Sequence, residues 1–510
     1  MSTAALGRAR RLPLASVGLM LAALAALAVG TVTAAPLVAV GLALILATVF
    51  VVAHGWLLRW DVLTGILILI VLFIPIRRFV LPGSLPFQLE PYRVFVAFLI
   101  GAWGTSLLID PRVRLRRTGF EAPLLIFLGA ALASVFFNRS YVSDGGRFVD
   151  PLTKVIVSGS LEPNVVKALT FFASFVLVFY FVASVVRRPE TIDRLIELLV
   201  ISGTVVAVFS IVESRTGMNV FDRLPRVLPF LQENFLQEVP NRGARLRARG
   251  PAEHAIALSA VLVMLVPLGV YLGSTRRRLR WWVATAVMGI GALAAVSRTG
   301  VIMLLVVGLV FLAFRPRTLK RLWPALIPVV VAVHFAMPGT LGTLKQAFAP
   351  PGGLLAEQQY QSGGGQPGGG RLADLGPTIA EWWERPAVGH GFGTRVVAYD
   401  PGTGQVPNAI ILDNQWLATL LETGLVGFLA LAWLLVSFVR RLVAAARRDG
   451  SARGWLPASL GASVASLAVG MVFFDALTFV QVALVLFIVM ALGAVCLRAP
   501  LRARPHLTGV

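Results

Sequence analysis

The chain has 510 residues, with 46 lysines and arginines against 24 acidic residues and a formal charge of +22, yet 57% of it is hydrophobic and only 14% is charged. Soluble domains average about 25% charged residues, so a mean hydropathy of +0.81 excludes a soluble enzyme and describes a membrane protein with many spans. The positive charge sits in short links between apolar runs, where it signals topology and attracts anionic head groups. Without zinc-type cysteine spacing or a basic-aromatic pattern, nucleic acid is not an expected partner, and the single Cys496 permits no intrachain disulfide.

A membrane-crossing helix needs about 20 mostly apolar residues. On that basis helices are predicted at 12–30, 34–53, 62–76, 92–109, 119–137, 164–186, 192–213, 254–273, 281–297, 299–314, 323–338, 414–438, 457–475 and 478–497. The expected fold is therefore all-α, a polytopic membrane bundle of about 12–14 helices. Arg8, Arg10 and Arg11 before Leu12–Gly30 mimic a secretory signal, but the apolar run is long for one and many spans follow. An uncleaved first helix is expected. Three regions are anticipated: N-terminal transmembrane helices over 1–199, a core over 200–440 with external loops at 214–253 and 338–413, and a C-terminal helix pair with a tail over 441–510.

Alternate links carry Arg112, Arg114, Arg116 and Arg117; Arg187 and Arg188; Arg276, Arg277, Arg278 and Arg280; Arg315, Arg317, Lys320 and Arg321; and Arg440, Arg441, Arg447 and Arg448. The positive-inside rule puts these links in the cytoplasm. With fourteen spans both termini lie there too, as expected of a multi-pass protein of the cytoplasmic membrane. The stretch Arg215–Arg249 then falls outside, although it holds seven arginines and no lysine. A solvated basic loop that meets lipid head groups is one reading. The absence of lysine favours another, because the planar guanidinium grips phosphate with two parallel bonds. In the largest external loop the glycine-rich run 361–370 is too poor in side chains to pack. After it, Arg371–Arg385 shows a helical pattern that ends at Pro386, with Ile379, Trp382 and Trp383 sharing a face suited to the membrane interface. This partly helical loop would cap an outward-facing cavity.

Three motifs follow in order. They are Arg249-Gly-Pro-Ala-Glu-His254, then Ser297-Arg298-Thr299-Gly300, then a series from Arg371 through Trp382 and Pro386-Ala-Val-Gly389-His-Gly391-Phe-Gly393 to Asp413-Asn414 and Glu422-Thr-Gly424. Together, on a polytopic scaffold, they resemble the O-antigen ligase and Wzy-type polysaccharide polymerase superfamily over roughly residues 200–440. The resemblance implies a glycosyltransferase that takes a glycan from an undecaprenyl-pyrophosphate carrier and joins it to a sugar hydroxyl on the outer membrane face. It implies no cofactor and no metal. The partners it implies are the lipid-linked glycan, the glycan acceptor, the bilayer and other components of polysaccharide export. Pyrophosphate binding falls on Arg249 and Arg298, with Arg247 and Arg371. Trp382, Asn414 and Glu422 are expected to position the acceptor and the loop.

The chemistry fits these residue types. Negative charge develops on the pyrophosphate oxygen as the glycosidic bond breaks, and preorganised donors at a water-poor site would hold it. Arg298 is the sharpest case, since it interrupts two apolar runs where burial of its charge would cost ~2.5–3.5 kcal/mol. An arginine snorkelling from a helix end is the plainer reading. The acceptor hydroxyl calls for a base within hydrogen-bond reach. The family often has a His-Asn pair where this chain has Asp413-Asn414, which tilts the expectation towards an exopolysaccharide polymerase. The base is then Asp413, His390 or His254. Capping is the competing role for Asp413, before a helix starting at Asn414, and for His254. A tight turn competes with any phosphate cradle at Gly389–Gly393, and an arginine partner is the plain reading of Asp475. The rival function is a lipid-linked glycan flippase or other polytopic transporter. Repeated halves and midplane charges would mark a transporter, and neither is evident here.

Overall fold

The computed structural model describes residues 59–82, 89–144, 146–149, 156–234, 246–314, 375–395, 412–449 and 454–498, with single positions at 331 and 335. The predicted helices at 12–30 and 34–53 lie outside the described residues, as does nearly all of 323–338. The other eleven predicted spans are all helical. In chain order the helices are α1 (Trp60–Phe73), α2 (Pro91–Ile109), α3 (Glu121–Phe137), the short α4 (Arg139–Asp144), α5 (Glu162–Val185), α6 (Pro189–Thr216) and the single turn α7 (Leu224–Val227). They continue with α8 (Ala255–Arg276), α9 (Leu279–Ala294), α10 (Arg298–Phe314), α11 (Leu375–Glu384), α12 (Gln415–Arg448), α13 (Trp455–Gly470) and α14 (Val480–Arg498). By length and composition α2, α5, α6, α8, α12 and α14 can cross a membrane, and α1, α3, α9, α10 and α13 are shorter apolar helices.

Sequence chemistry accounts for many of the boundaries. Proline opens α2, α5 and α6 within the first turn, where its missing N–H costs nothing. The Asn414 side chain accepts the N–H groups of Trp416 and Leu417 at the start of α12, so capping falls to Asn414 rather than to Asp413. That helix also runs ten residues beyond the predicted 438, because 439–448 is rich in alanine and arginine, and Arg447 and Arg448 suit its C-terminal dipole. The predicted break at Ser297-Arg298 is a three-residue turn in which Val296 takes a positive φ of 46°.

Helices α8 and α14 form the centre. Each is apolar on every side and buried along nearly its whole length, as expected of a helix surrounded by others. Helix α8 packs on α6, α9, α10 and α13, and α14 packs on α1, α5, α12, α13 and α8. The C-terminal helix is therefore part of the common core. Hydroxyls on small residues let the backbones approach closely, with Ser463 donating to the Met264 carbonyl at 2.7 Å and Ser259 to the Ala292 carbonyl at 3.0 Å.

Two small sheets, unforeseen in the sequence, trim the links. Strands β2 (Gly146–Val149) and β3 (Ile156–Gly159) form an antiparallel hairpin before α5. Strand β1 (Phe79–Val80) pairs antiparallel with β4 (Gln232–Glu233), tying the link after α1 to the arginine-rich stretch.

Helix α12 is broken at Gly424, whose φ of 65° and ψ of −167° only glycine adopts without strain. The Pro386–Gly391 turn fills the break. His390 and Gly391 donate their N–H groups to the Leu421 and Glu422 carbonyls at 2.8 and 3.0 Å, and Leu425 N–H returns to the Pro386 carbonyl at 2.9 Å. Backbone groups freed by the kink are thus satisfied inside the protein, as a membrane-embedded helix requires. A Cβ at Gly389 would lie 2.6 Å from the backbone of Glu422. Gly424→Ala and Gly389→Ala are each expected to cost about 1–3 kcal/mol through backbone strain alone, seen as lower unfolding temperatures in detergent. Wild-type melting of both variants would contradict this packing.

Candidate active site

The two ends of the bundle differ in charge chemistry. At one end the basic links meet each other: Arg187 donates to the Arg112 carbonyl at 2.7 Å, Arg498 reaches the Arg117 and Ala183 carbonyls, and Arg441 donates to the Gly119 carbonyl at 2.8 Å. Arg276 and Arg280 share Glu197 at the same end. Several of these guanidiniums serve backbone carbonyls, and the ion pairs there include Arg59 with Asp61 and the two arginines on Glu197. At the opposite end, acids and arginines from well-separated segments pair with each other.

The Arg249–His254 motif forms a compact turn around the carboxylate of Glu213, from α6. Gly250 N–H donates to it at 2.8 Å, Arg249 N–H at 3.2 Å and the Asn219 amide at 3.0 Å. Gly250 has a φ of 51°, and a Cβ there would press on Ser210 and Leu258 at 3.0 and 3.1 Å. The Arg249 side chain leaves this turn and pairs with Asp222 at 2.9 Å, and the other Asp222 oxygen takes Arg78 at 2.9 Å. Arg78 is only 3% exposed and also donates to the Ala252 carbonyl of the same turn. Burial lowers its pKa to about 10, with the neighbouring Arg249 charge acting in the same direction and Asp222 and Glu213 opposing them. It remains a cation at neutral pH.

Arg77 carries the network to the other half of the molecule. Its guanidinium pairs with Glu253 at 3.0 Å and donates to the Thr478 carbonyl at 3.1 Å. The second Glu253 oxygen accepts the Val480 N–H, at the start of α14, at 3.1 Å. Burial pushes the Glu253 carboxyl up, and Arg77 pulls it back. Beyond Thr478 lies Asp475, which accepts a hydrogen bond from the Thr478 hydroxyl and feels the charges of Asp413, Arg77 and Arg395. Glu422 lies within electrostatic reach of Asp475 and Arg395, and Arg395 pairs with Glu381 of α11 at 3.1 Å. Burial lowers the pKa of Arg395, and Glu381 and Glu422 raise it again.

The residues singled out from sequence distribute as follows. Arg249 sits in the first cluster; Arg247 lies beside it and donates to the Ala295 carbonyl at 3.2 Å, in the turn that leads to Arg298 at the start of α10. These three arginines therefore belong to two adjoining turns, joined also by the Ala248 N–H donating to the Ala294 carbonyl at 3.2 Å. Asp413 and Asn414 stand at the start of α12 and Glu422 two turns into it, and Asp475 lies within electrostatic reach of both carboxylates. His254 caps α8, its Nδ1 accepting the Ile256 N–H at 3.2 Å, and the Nε2 of His390 meets the Glu381 carbonyl at 2.8 Å. Trp382 donates to the Pro386 carbonyl at 3.1 Å and packs beside Leu412, Ala418 and Leu421, whereas Ile379 and Trp383 are exposed. The Trp382 and Trp383 rings lie against each other, with centroids 4.7 Å apart. Arg371 lies outside the described residues. Sequence reasoning missed Arg77, Arg78, Glu213, Asp222, Glu253 and Arg395. The available signal was charge at the ends of apolar runs on the side that topology assigns outside.

Burial pushes the Asp475 carboxyl up from 3.8 to about 6, the Thr478 hydrogen bond opposes the rise, and Asp413 adds to it. A carboxyl that binds its proton more tightly when folded contributes stability at low pH that is lost as pH rises from about 4 to about 6. Asp475→Asn should therefore gain in unfolding temperature relative to the unaltered protein between pH 4 and pH 7. A difference that does not change with pH would contradict this placement of Asp475.

The family model described as O-antigen ligase matches residues 283–432. This segment contains the Ser297–Gly300 motif and the series from Arg371 to Gly424, and it leaves the Arg249–His254 turn and Asp475 outside. The match supports the O-antigen ligase and Wzy-type superfamily, and with it a membrane enzyme that ligates or polymerises glycans in the broad sense. No curated protein matches the chain.

Proposed function

Starting from the O-antigen ligase match over residues 283–432, we propose that this protein moves a glycan from an undecaprenyl-pyrophosphate carrier to a sugar hydroxyl on the outer face of the cytoplasmic membrane. One observation carries the reading: arginines and carboxylates from α6, α10, α12 and the links around them gather at the end of the bundle opposite the basic links. The positive-inside rule makes the basic end cytoplasmic. The mixed end is then the outer one, where lipid-linked glycans would be met.

Arg249, Arg247 and Arg298 hold the pyrophosphate. As the acceptor oxygen bonds to the anomeric carbon, the bond to the pyrophosphate oxygen breaks and the lipid pyrophosphate leaves with its electron pair. Guanidiniums fixed in place before the reaction stabilise that charge without reorganisation. The acceptor proton passes to a carboxylate at the start of α12. Asp413 is favoured over His254, whose Nδ1 already accepts the Ile256 N–H, while His390, with Nε2 donating to the Glu381 carbonyl, keeps Nδ1 as the alternative acceptor.

Reconstituted protein supplied with lipid-linked oligosaccharide should lengthen glycan on a gel, and lengthening should survive a chelator. Arg249→Ala and Arg298→Ala should each slow it by about a hundredfold or more while protein levels in the membrane stay normal. Lysine at either position should not restore the rate, because the planar fork is lost. Normal glycan from both alanine variants would refute the assignment.

A further inference from the structure

The Arg249–Asp222 pair poses a problem for the proposed function. A guanidinium held by a carboxylate at 2.9 Å meets an incoming phosphate with part of its charge and one of its donors already engaged. Left alone in a partly buried site, that carboxylate would hold the arginine back, because a charge without a partner there is costly. The structure contains a second cation placed to remove this obstacle.

We propose that Arg78 is a positioning residue for the donor site, neutralising Asp222 so that Arg249 can exchange its aspartate for the diphosphate of a lipid carrier. The inference rests on the reading of function above. Asp222 divides its oxygens between the two arginines, one each at 2.9 Å. Arg249 is the more accessible, with 14% of its side chain exposed against 3% for Arg78. It is thus the partner able to turn outward. Arg78 is held from several sides. Its backbone carbonyl accepts the Asn234 N–H at 2.8 Å, and its guanidinium also grips the Ala252 carbonyl. Nor does the shape of the Arg249–His254 turn depend on the Asp222 pair, because Glu213 holds the backbone N–H groups of Arg249 and Gly250 separately. The Arg249 side chain can therefore change partner while the turn stays where it is. Burial and the Arg249 charge bring the Arg78 pKa only down to about 10, so it keeps its charge throughout the exchange.

The test is a double-mutant cycle read by binding. Undecaprenyl pyrophosphate is titrated into the full-length protein in nanodiscs of neutral lipid, for the unaltered protein, Arg78→Gln, Asp222→Asn and the pair together. Arg78→Gln should weaken binding about thirtyfold or more, the range for breaking one partner of a buried charge pair. Asp222→Asn alone should bind at least as tightly as the unaltered protein. Adding Asp222→Asn to Arg78→Gln should recover most of the loss, since the competing carboxylate is gone. A plain structural clamp predicts the reverse, with the double variant as weak as Arg78→Gln or weaker, and that result overturns the proposal. If Arg78→Gln does not fold, weaker binding by Asp222→Asn alone overturns it equally. Should the unaltered protein fail to bind the lipid, the functional reading falls and takes the inference with it.

Discussion

Two adjacent arginines that point to different partners hold the charged end of this bundle together. Arg77 adopts a φ of 65°, in the left-handed region that side chains with a Cβ rarely enter. As a result its guanidinium reaches Glu253 and Thr478, near the start of α14, while that of Arg78 reaches Asp222 and Ala252. Asn234 pins the carbonyls of both, at 3.2 and 2.8 Å. One short link after α1 therefore joins the arginine turn ahead of α8 to the acidic group around the start of α12. Arg78 and Glu253 are the buried members of these pairs, and a buried charge left without its partner is costly, so the contacts constrain each other.

The helices below make that arrangement possible. Helices α8 and α14 are enclosed by other helices along nearly their whole length, so their starts lie near the middle of the bundle. The Arg249–His254 turn precedes one of them and the Asp475–Thr478 segment precedes the other. Central helices thus bring two charged links, more than two hundred residues apart in sequence, to the same end of the molecule. The kink at Gly424 makes a similar connection. It opens α12 to accept the His390–Gly391 backbone and so brings Arg395 within electrostatic reach of Glu422.

Most of the scaffold was legible in the sequence, because spans of apolar residues leave a strong signal. The helices from α8 to α10 and from α12 to α14 fall where hydropathy puts them, within a few residues except at the basic end of α12. The motif arginines were visible because they break both the charge rule and the apolar pattern. Their partners were not. Asp222, Glu213 and Glu253 are ordinary single acids in sequence, and only the packing of α6 against α8 and of α8 against α14 brings them to the arginines. Asp475 was noticed only as a partner for an arginine, and its proximity to Asp413 and Glu422 depends on the α13–α14 link folding over the start of α12. Sequence spacing carries no trace of such a long-range contact. The same holds for the exchange of capping roles, where a one-residue difference gives the helix N-terminus to Asn414 and leaves Asp413 outside it.

The central claim is that the arginine cluster faces outward and receives a diphosphate. Cys496 is the single cysteine of the chain, so replacing it with alanine and Leu246, 47% exposed beside Arg247, with cysteine gives one defined probe. In sealed right-side-out vesicles a membrane-impermeant maleimide should label this cysteine from outside, and undecaprenyl pyrophosphate should slow the labelling. Labelling that appears only after the vesicles are opened, or that is indifferent to the lipid, would contradict the account.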